Sequence, residues 1–93
     1  MSTIYTDEYS TIFYIPALGT LTKWVQWGTD SAYRDIMPRW VSGGAPNDPN
    51  PVMRIEWKGV GYNSSIAEVV TIKVKNLSQG SIGVRFRLIK VVN

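Results

Sequence analysis

The chain has 93 residues, with ten basic and seven acidic side chains and a net charge of +3. It contains neither cysteine nor histidine, which excludes disulfides, thiolate chemistry, and the commonest general base and zinc ligand. The length fits one domain with a modest core, and the charge is small for a nucleic-acid-binding protein.

The first part of the chain predicts short strands separated by turns. Residues 1–10 are polar and mixed and predict a loose arm. Residues 11–15 are β-branched and aromatic and predict a strand that ends at Pro16. Residues 21–27 predict a second strand, in which Trp24 has polar neighbours and is expected to be partly exposed.

The middle of the chain is less regular. Pro38 disfavours a helical conformation before it, so residues 33–38 predict a short turn and residues 39–41 an extended piece. Residues 42–51 contain three of the five prolines and predict a rigid loop.

A clean strand pattern follows this loop. In residues 52–58 the apolar side chains alternate with charged ones, which predicts that Met53, Ile55 and Trp57 share one face. Residues 59–65 are rich in glycine and polar residues and predict a second loop.

Residues 69–92 carry the strongest strand pattern and predict a long β-hairpin. Apolar residues alternate with polar ones in both halves, as in strands with one buried face. A three-residue turn with Gly80 in the left-handed conformation would pair Val74 with Val84 and Glu68 with Lys90. This register gathers four cations on one face that has no aromatic residue: Lys73, Lys75, Arg85 and Arg87.

About six strands and no convincing helix predict an all-β single domain over residues 1–93. The expected architecture is a small antiparallel β-sandwich of jelly-roll or immunoglobulin-like character. No signal peptide and no apolar run of about 20 residues is recognisable. We therefore expect no membrane span and synthesis in the cytoplasm, with later release or display left open.

Aromatic residues are unusually frequent, with four Trp, five Tyr and two Phe. A two-layer domain of this size cannot bury all of them, so several are expected to be half exposed at a ligand site or a subunit contact. Ile89 and Val91 lie on the face that carries Arg85 and Arg87, which predicts a second apolar contact there, with another subunit as one partner.

Carbohydrate is the ligand class that this mixture favours. A sugar offers an apolar face and a rim of hydroxyls, so its site needs an exposed aromatic ring beside polar groups. The loops supply these candidate ligand-binding residues: Trp27, Asp30, Tyr33, Arg34, Asp35, Trp40, Asn47, Tyr62 and Asn63. We predict a non-catalytic, lectin-like module that binds a glycan and acts as a homo-oligomer.

Other chemistries fit less well. Glu56 and Glu68 fall on solvent faces, and no nucleophile elbow or phosphate loop is present, so we expect no enzyme. Asp48, Asn47 and Asn50 are read as turn residues and not as a calcium site, and we expect no cofactor, metal or nucleic acid. Two alternatives stay open: a coat or decoration subunit whose aromatics form subunit contacts, and a small toxin or receptor-binding subunit.

Overall fold

The computed structural model describes residues 2–26, 33–62 and 68–92. These residues form antiparallel strands and no helix. The strands are β1 (Thr3–Glu8), β2 (Phe13–Ile15), β3 (Thr20–Gln26), β4 (Tyr33–Gly43), β5 (Met53–Tyr62), β6 (Glu68–Asn76) and β7 (Ile82–Val92). The predicted all-β, antiparallel class is confirmed, with seven described strands in place of about six.

Sheet A is built around β7. Strand β4 pairs along one side of β7, and β1 and β2 share its other side. Between β1 and β2, the backbone N–H of Tyr9 donates to the carbonyl oxygen of Phe86 at 3.0 Å. Strands β1 and β2 are therefore two parts of one interrupted edge strand. Residues 9–12 form a bulge, because these four residues face only residues 85 and 86 of β7.

Two segments of sheet A differ from their predictions. The loose arm predicted for residues 1–10 is a strand over Thr3–Glu8, because its backbone pairs with β7. The predicted turn before residue 39 is also absent, since Tyr33–Gly43 forms one strand of 11 residues. Pro38 is tolerated within it because β4 is an edge strand, paired on one side only.

Sheet B has three strands, with β6 at its centre between β3 and β5. Alternating Val, Ile and Thr residues favour the extended conformation of β6. The loop predicted for residues 59–65 is partly wrong, because β5 continues to Tyr62. Residues 63–65 of that prediction lie outside the described residues.

One apolar cluster lies between the two sheets. Sheet B supplies Val25, Val70, Ile72 and Val74, and sheet A supplies Ile15, Ile36, Ile82, Val84 and Phe86. The Phe13 ring packs edge-on against Phe86, with 5.7 Å between the ring centroids. Burial of these side chains is the main stabilising term of the fold, at roughly 1.5–3 kcal/mol for each large apolar side chain.

The predicted C-terminal hairpin is wrong. Strands β6 and β7 both exist, but β6 belongs to sheet B and β7 to sheet A. Val74 pairs with Leu21 and Ile55, and Val84 pairs with Phe13 and Trp40. The apolar faces of the two strands contribute to the same core from opposite sheets. The connection between them therefore crosses from one sheet to the other.

Two side-chain contacts show which edges of the sheets face each other. Lys58 on β5 donates to Asp35 Oδ1 on β4 at 2.7 Å. On the other side, Lys23 Nζ on β3 lies 5.0 Å from the Phe13 ring centroid and 5.6 Å from that of Tyr9. Strand β5 thus lies opposite β4, and β3 lies opposite the β1–β2 edge.

Asn76, at the end of β6, connects the turn that follows β2 with the turn that follows β6. Its amide nitrogen donates to the carbonyl oxygens of Ile15, Pro16 and Gly80 at 2.9–3.0 Å. Its amide oxygen accepts from the backbone N–H of Ser78 at 2.7 Å. The residue is fully buried, so these bonds replace the water that a polar side chain loses on burial.

Gly80 has a different role from the predicted one. The glycines with positive φ in the described residues are Gly43 and Gly44, not Gly80. Gly80 is instead in close contact with another turn, because a Cβ there would lie 2.8 Å from the carbonyl carbon of Gly44. It allows the turn after β6 to pack against the turn after β4.

The molecule is thin for its length. Its radius of gyration is 14.8 Å and its extents are 44 × 30 × 20 Å, whereas a compact domain of this size has a radius of gyration of about 12 Å. Large apolar side chains consequently remain exposed. Three of the four tryptophans are described, and Trp24, Trp40 and Trp57 are 61%, 48% and 56% exposed, which confirms the expectation of half-exposed aromatics.

Candidate ligand-binding site

The outer face of sheet B, which points away from the core, carries two of the exposed tryptophans. Side chains of directly paired residues lie on the same face of a sheet. Trp24 pairs with Thr71, and Thr71 pairs with Gly59 on its other side. The next row of the same face contains Thr22, Lys73 and Trp57. Trp24 and Trp57 therefore flank β6 on one open surface.

A bulge in β5 brings Trp57 to this surface. The register shifts between Ile55, which pairs with Val74, and Trp57, which pairs with Lys73. Glu56 is the extra residue, and it reverses the alternation after it. The prediction that Met53, Ile55 and Trp57 share one face is therefore wrong for Trp57.

An open groove of about 460 Å³ runs beside the Trp57 indole. We call it the outer groove; it is lined by Trp57, Gly59, Val60, Gly61, Tyr62, Val69 and Thr71. The indole leans over Gly59, since a Cβ on that residue would lie 2.5 Å from Trp57 Cζ2. The two glycines leave the floor free of side chains, so a planar ligand can reach the backbone and the indole together.

The predicted loop site is only partly described. Trp27, Asp30 and Asn63 lie outside the described residues. Tyr33 begins β4 and is 62% exposed. Tyr62 is also exposed and lines the outer groove with Trp57, so it is the predicted residue that the structure brings to a candidate site.

Asp35 has partners within the fold. One of its carboxylate oxygens accepts from Lys58 Nζ and from the backbone N–H of Ile36 at 2.8 Å. Arg34, its neighbour on β4, pairs in register with Lys90. Both predicted residues are half-buried, and Asp35 is engaged in linking the edges of the two sheets.

Trp40 lies far from Tyr33. The two residues are seven positions apart on one strand, which corresponds to roughly 24 Å. Trp40 lines a separate shallow pocket of about 400 Å³ with Asn50, Pro51, Val52 and Met53. Asn47 is not part of its lining; it adopts a positive φ of 65° in the turn before that pocket. Of the described members of the predicted set, Tyr33 and Trp40 are therefore too far apart to belong to one site.

Sequence reasoning did not include Trp24 and Trp57 in the site. The exposure expected for Trp24 is confirmed, and its polar neighbours were a usable signal. Trp57 gave no such signal, because the bulge at Glu56 interrupts an apparently regular alternation.

The predicted single basic face does not exist. Lys73 and Lys75 lie on sheet B, whereas Arg85 and Arg87 lie on sheet A. The structure instead gives Lys73 an aromatic neighbour, because it pairs with Trp57.

Asp48 serves as a connector between turns. Its Oδ2 accepts from the backbone N–H of Ala45 and from the hydroxyl of Ser78, with 2.7 Å between Oδ2 and Ser78 Oγ. Its Oδ1 accepts from the backbone N–H of Gln79 at 3.2 Å. The Ser78 hydroxyl is the main cause that lowers the pKa of Asp48; burial opposes it, and the two backbone N–H groups add to the lowering.

Two further searches concern the described residues only. Within residues 2–26, 33–62 and 68–92, no group of three or more acidic, histidine or cysteine side chains is arranged to hold a metal ion. The same ranges contain no helix that is long and apolar enough to cross a membrane.

Comparison of the chain with protein-family models, curated proteins and solved structures finds no match.

Proposed function

We propose that this chain is a non-catalytic carbohydrate-binding module whose ligand lies on the outer face of sheet B. The observation that carries the proposal is the pair of exposed indoles, Trp24 and Trp57, on one face of sheet B and on opposite sides of β6. The scaffold is a β-sandwich, for which the jelly-roll and immunoglobulin-like strand orders stay predictions.

The chemistry of the face suits sugar rings. An indole offers a flat apolar surface on which the C–H face of a sugar packs. Thr71 lies on β6 between the indoles, Thr22 lies two residues before Trp24 on β3, and each hydroxyl both donates and accepts hydrogen bonds. An oligosaccharide lying across β6 would contact the two indoles and the threonine hydroxyls together. Tyr62, whose pairing with Glu68 places it in a core-side row, lines only the end of the outer groove.

The test is glycan binding by single-tryptophan variants. Arrayed oligosaccharides identify a ligand, and titration calorimetry then compares wild type with Trp24→Ala and Trp57→Ala. We expect each substitution to weaken binding about 5- to 15-fold, because an aromatic contact contributes on the order of 1–1.5 kcal/mol.

Trp40→Ala is the matched control, since Trp40 is a half-exposed tryptophan on the other sheet. It should leave the affinity unchanged. The proposal fails if no glycan binds, or if Trp40→Ala weakens binding as much as the two substitutions on sheet B. Circular dichroism of each variant confirms that the fold is retained.

A second candidate function, self-assembly, is favoured by an apolar strip on the outer face of sheet A. Val91 on β7 pairs with Ile4 of β1 on one side and with Tyr33 of β4 on the other. Ile4 is 66% exposed and Tyr33 is 62% exposed. A homo-oligomer would cover this strip, as a binding module with several copies or as a subunit of a coat.

Light scattering measures the assembly state directly. We expect wild type to have a mass above the 10.5 kDa of one chain. The double variant Ile4→Ser, Tyr33→Ser should have the mass of the monomer. Tyr14→Ser is the control, because Tyr14 is equally exposed on the same face but pairs with Gly83 near the other end of β7. A monomeric wild type would remove this candidate.

A further inference from the structure

Lys73 lies between the two indoles of the outer face. Its direct neighbours across the strands are Thr22 and Trp57. It is two residues along β6 from Thr71, the neighbour of Trp24. Lys73 is exposed, and no carboxylate among the described residues pairs with it. Its ammonium group is thus available to a ligand that stacks on either ring.

Two more cations extend the positive charge to one side. Arg54 pairs with Lys75 in the adjacent row of the same face. Glu56, the residue of the bulge, accepts from Arg54 Nη2 at 3.2 Å and offsets part of that charge. Lys75 has no such partner among the described residues, so the face remains positive beside Trp57.

We propose that the ligand of the outer face is an acidic glycan. Its carboxylate or sulfate group would bind Lys73, while sugar rings on either side of that group stack on Trp24 and Trp57. This inference rests on the proposed carbohydrate function and specifies its ligand class. The indoles are two strand spacings apart across the sheet, roughly 10 Å, a distance spanned by two sugar rings of one oligosaccharide that have a third ring between them.

The distribution of charge favours an acidic glycan over a single-stranded nucleic acid. A nucleic acid carries a phosphate at every nucleotide and needs cations along its whole path. Here the cations lie on one side of Trp57, and the outer groove on its other side is lined by Gly59, Gly61 and Val69. An acidic glycan with one negative group between two sugar rings fits this distribution of charge.

The test compares ligands that differ only in charge. Oligogalacturonate and its methyl ester have the same rings, and a sulfated heparin oligosaccharide tests the second kind of anion. We expect wild type to bind at least one acidic glycan about tenfold more tightly than the methyl ester at low salt, because a charge-assisted hydrogen bond is gained. The preference should decrease as salt rises.

Lys73→Gln should remove this preference, so that the acidic glycan and its methyl ester bind about equally. Arg39→Gln is the control, because it lowers the net charge equally on the outer face of sheet A. If wild type binds neutral and acidic ligands alike through Trp24 and Trp57, the inference is overturned while carbohydrate binding stands. If no glycan binds, the acidic-glycan inference and the proposed carbohydrate function are both overturned. If oligo(dT) binds more tightly than any glycan, nucleic-acid recognition replaces both proposals.

Discussion

The indole of Trp57 lies over the backbone of Gly59, so closely that a Cβ on the glycine would be 2.5 Å from Cζ2 and 2.7 Å from Cη2. We expect Gly59→Ala to displace the indole and alter the near-ultraviolet circular dichroism spectrum. Glycan affinity should decrease about fivefold, since an aromatic contact is worth about 1 kcal/mol.

Gly61→Ala provides the control for this prediction. Gly61 lines the same groove two residues further along β5, but nothing lies within 4 Å of the position of its Cβ. The added methyl group should leave the Trp57 spectrum unchanged. Equal spectra for wild type and Gly59→Ala would show that the indole does not occupy this position in solution.

Removal of the Asn76 side chain should strongly destabilise the fold. In Asn76→Ala the carbonyl oxygens of Ile15, Pro16 and Gly80 lose their shared donor, and a buried space is left. We expect a loss on the order of 2–4 kcal/mol in the free energy of unfolding, measured by chemical denaturation. Gln79→Ala, at an exposed position in the turn that follows β6, should change the free energy of unfolding by less than about 0.5 kcal/mol.

The stability of the chain should depend on the protonation of Asp48. Its folded-state pKa is lowered from 3.8, chiefly by the Ser78 hydroxyl. The carboxylate therefore stabilises the fold at pH values above its unfolded pKa, and that contribution is lost as the pH falls through the folded pKa. We expect the stability difference between wild type and Asp48→Asn to shrink between pH 5 and pH 2, measured as unfolding free energy at several pH values.

Ser78→Ala distinguishes the cause of that pH dependence. It removes the largest contribution to the lowered pKa, so stability should be less sensitive to acid in this variant. A constant difference between wild type and Asp48→Asn over the same range would exclude the carboxylate as the titrating group.

The ion pair between Lys58 and Asp35 should contribute little despite its short distance of 2.7 Å. Their side chains are 29% and 24% exposed, so water screens the charges. A double-mutant cycle with Lys58→Met and Asp35→Asn should give a coupling below about 1 kcal/mol. A larger coupling would identify this contact as a principal link between the edges of the sheets.

The class of the fold was predictable because alternation reports which side chains of a strand face the core. It does not report which strand is the neighbour. Val74 and Val84 satisfy the same buried-face pattern whether they pair or contribute to one core from two sheets. The hairpin prediction failed for this reason, and the basic face built on its register failed with it.

The candidate site was less predictable than the fold. Tyr62 was chosen from the sequence and lines the outer groove, whereas Trp57 was assigned to the wrong face. The bulge at Glu56 depends on the pairing of β5 with β6, which involves residues far apart in the chain. The local sequence pattern could not reveal this bulge. For Trp24, in contrast, the polar neighbours in the sequence did predict that the side chain is exposed.

The position of β7 at the centre of sheet A affects how the protein is made. Strands β1, β2 and β4 all take their hydrogen-bonding partners from residues 82–92. During translation, β1, β2 and β4 are therefore synthesised before their partner strand exists. We infer that nascent chains expose these unpaired strand edges until β7 has been synthesised, so folding of this sheet is slow and dominated by contacts between distant residues.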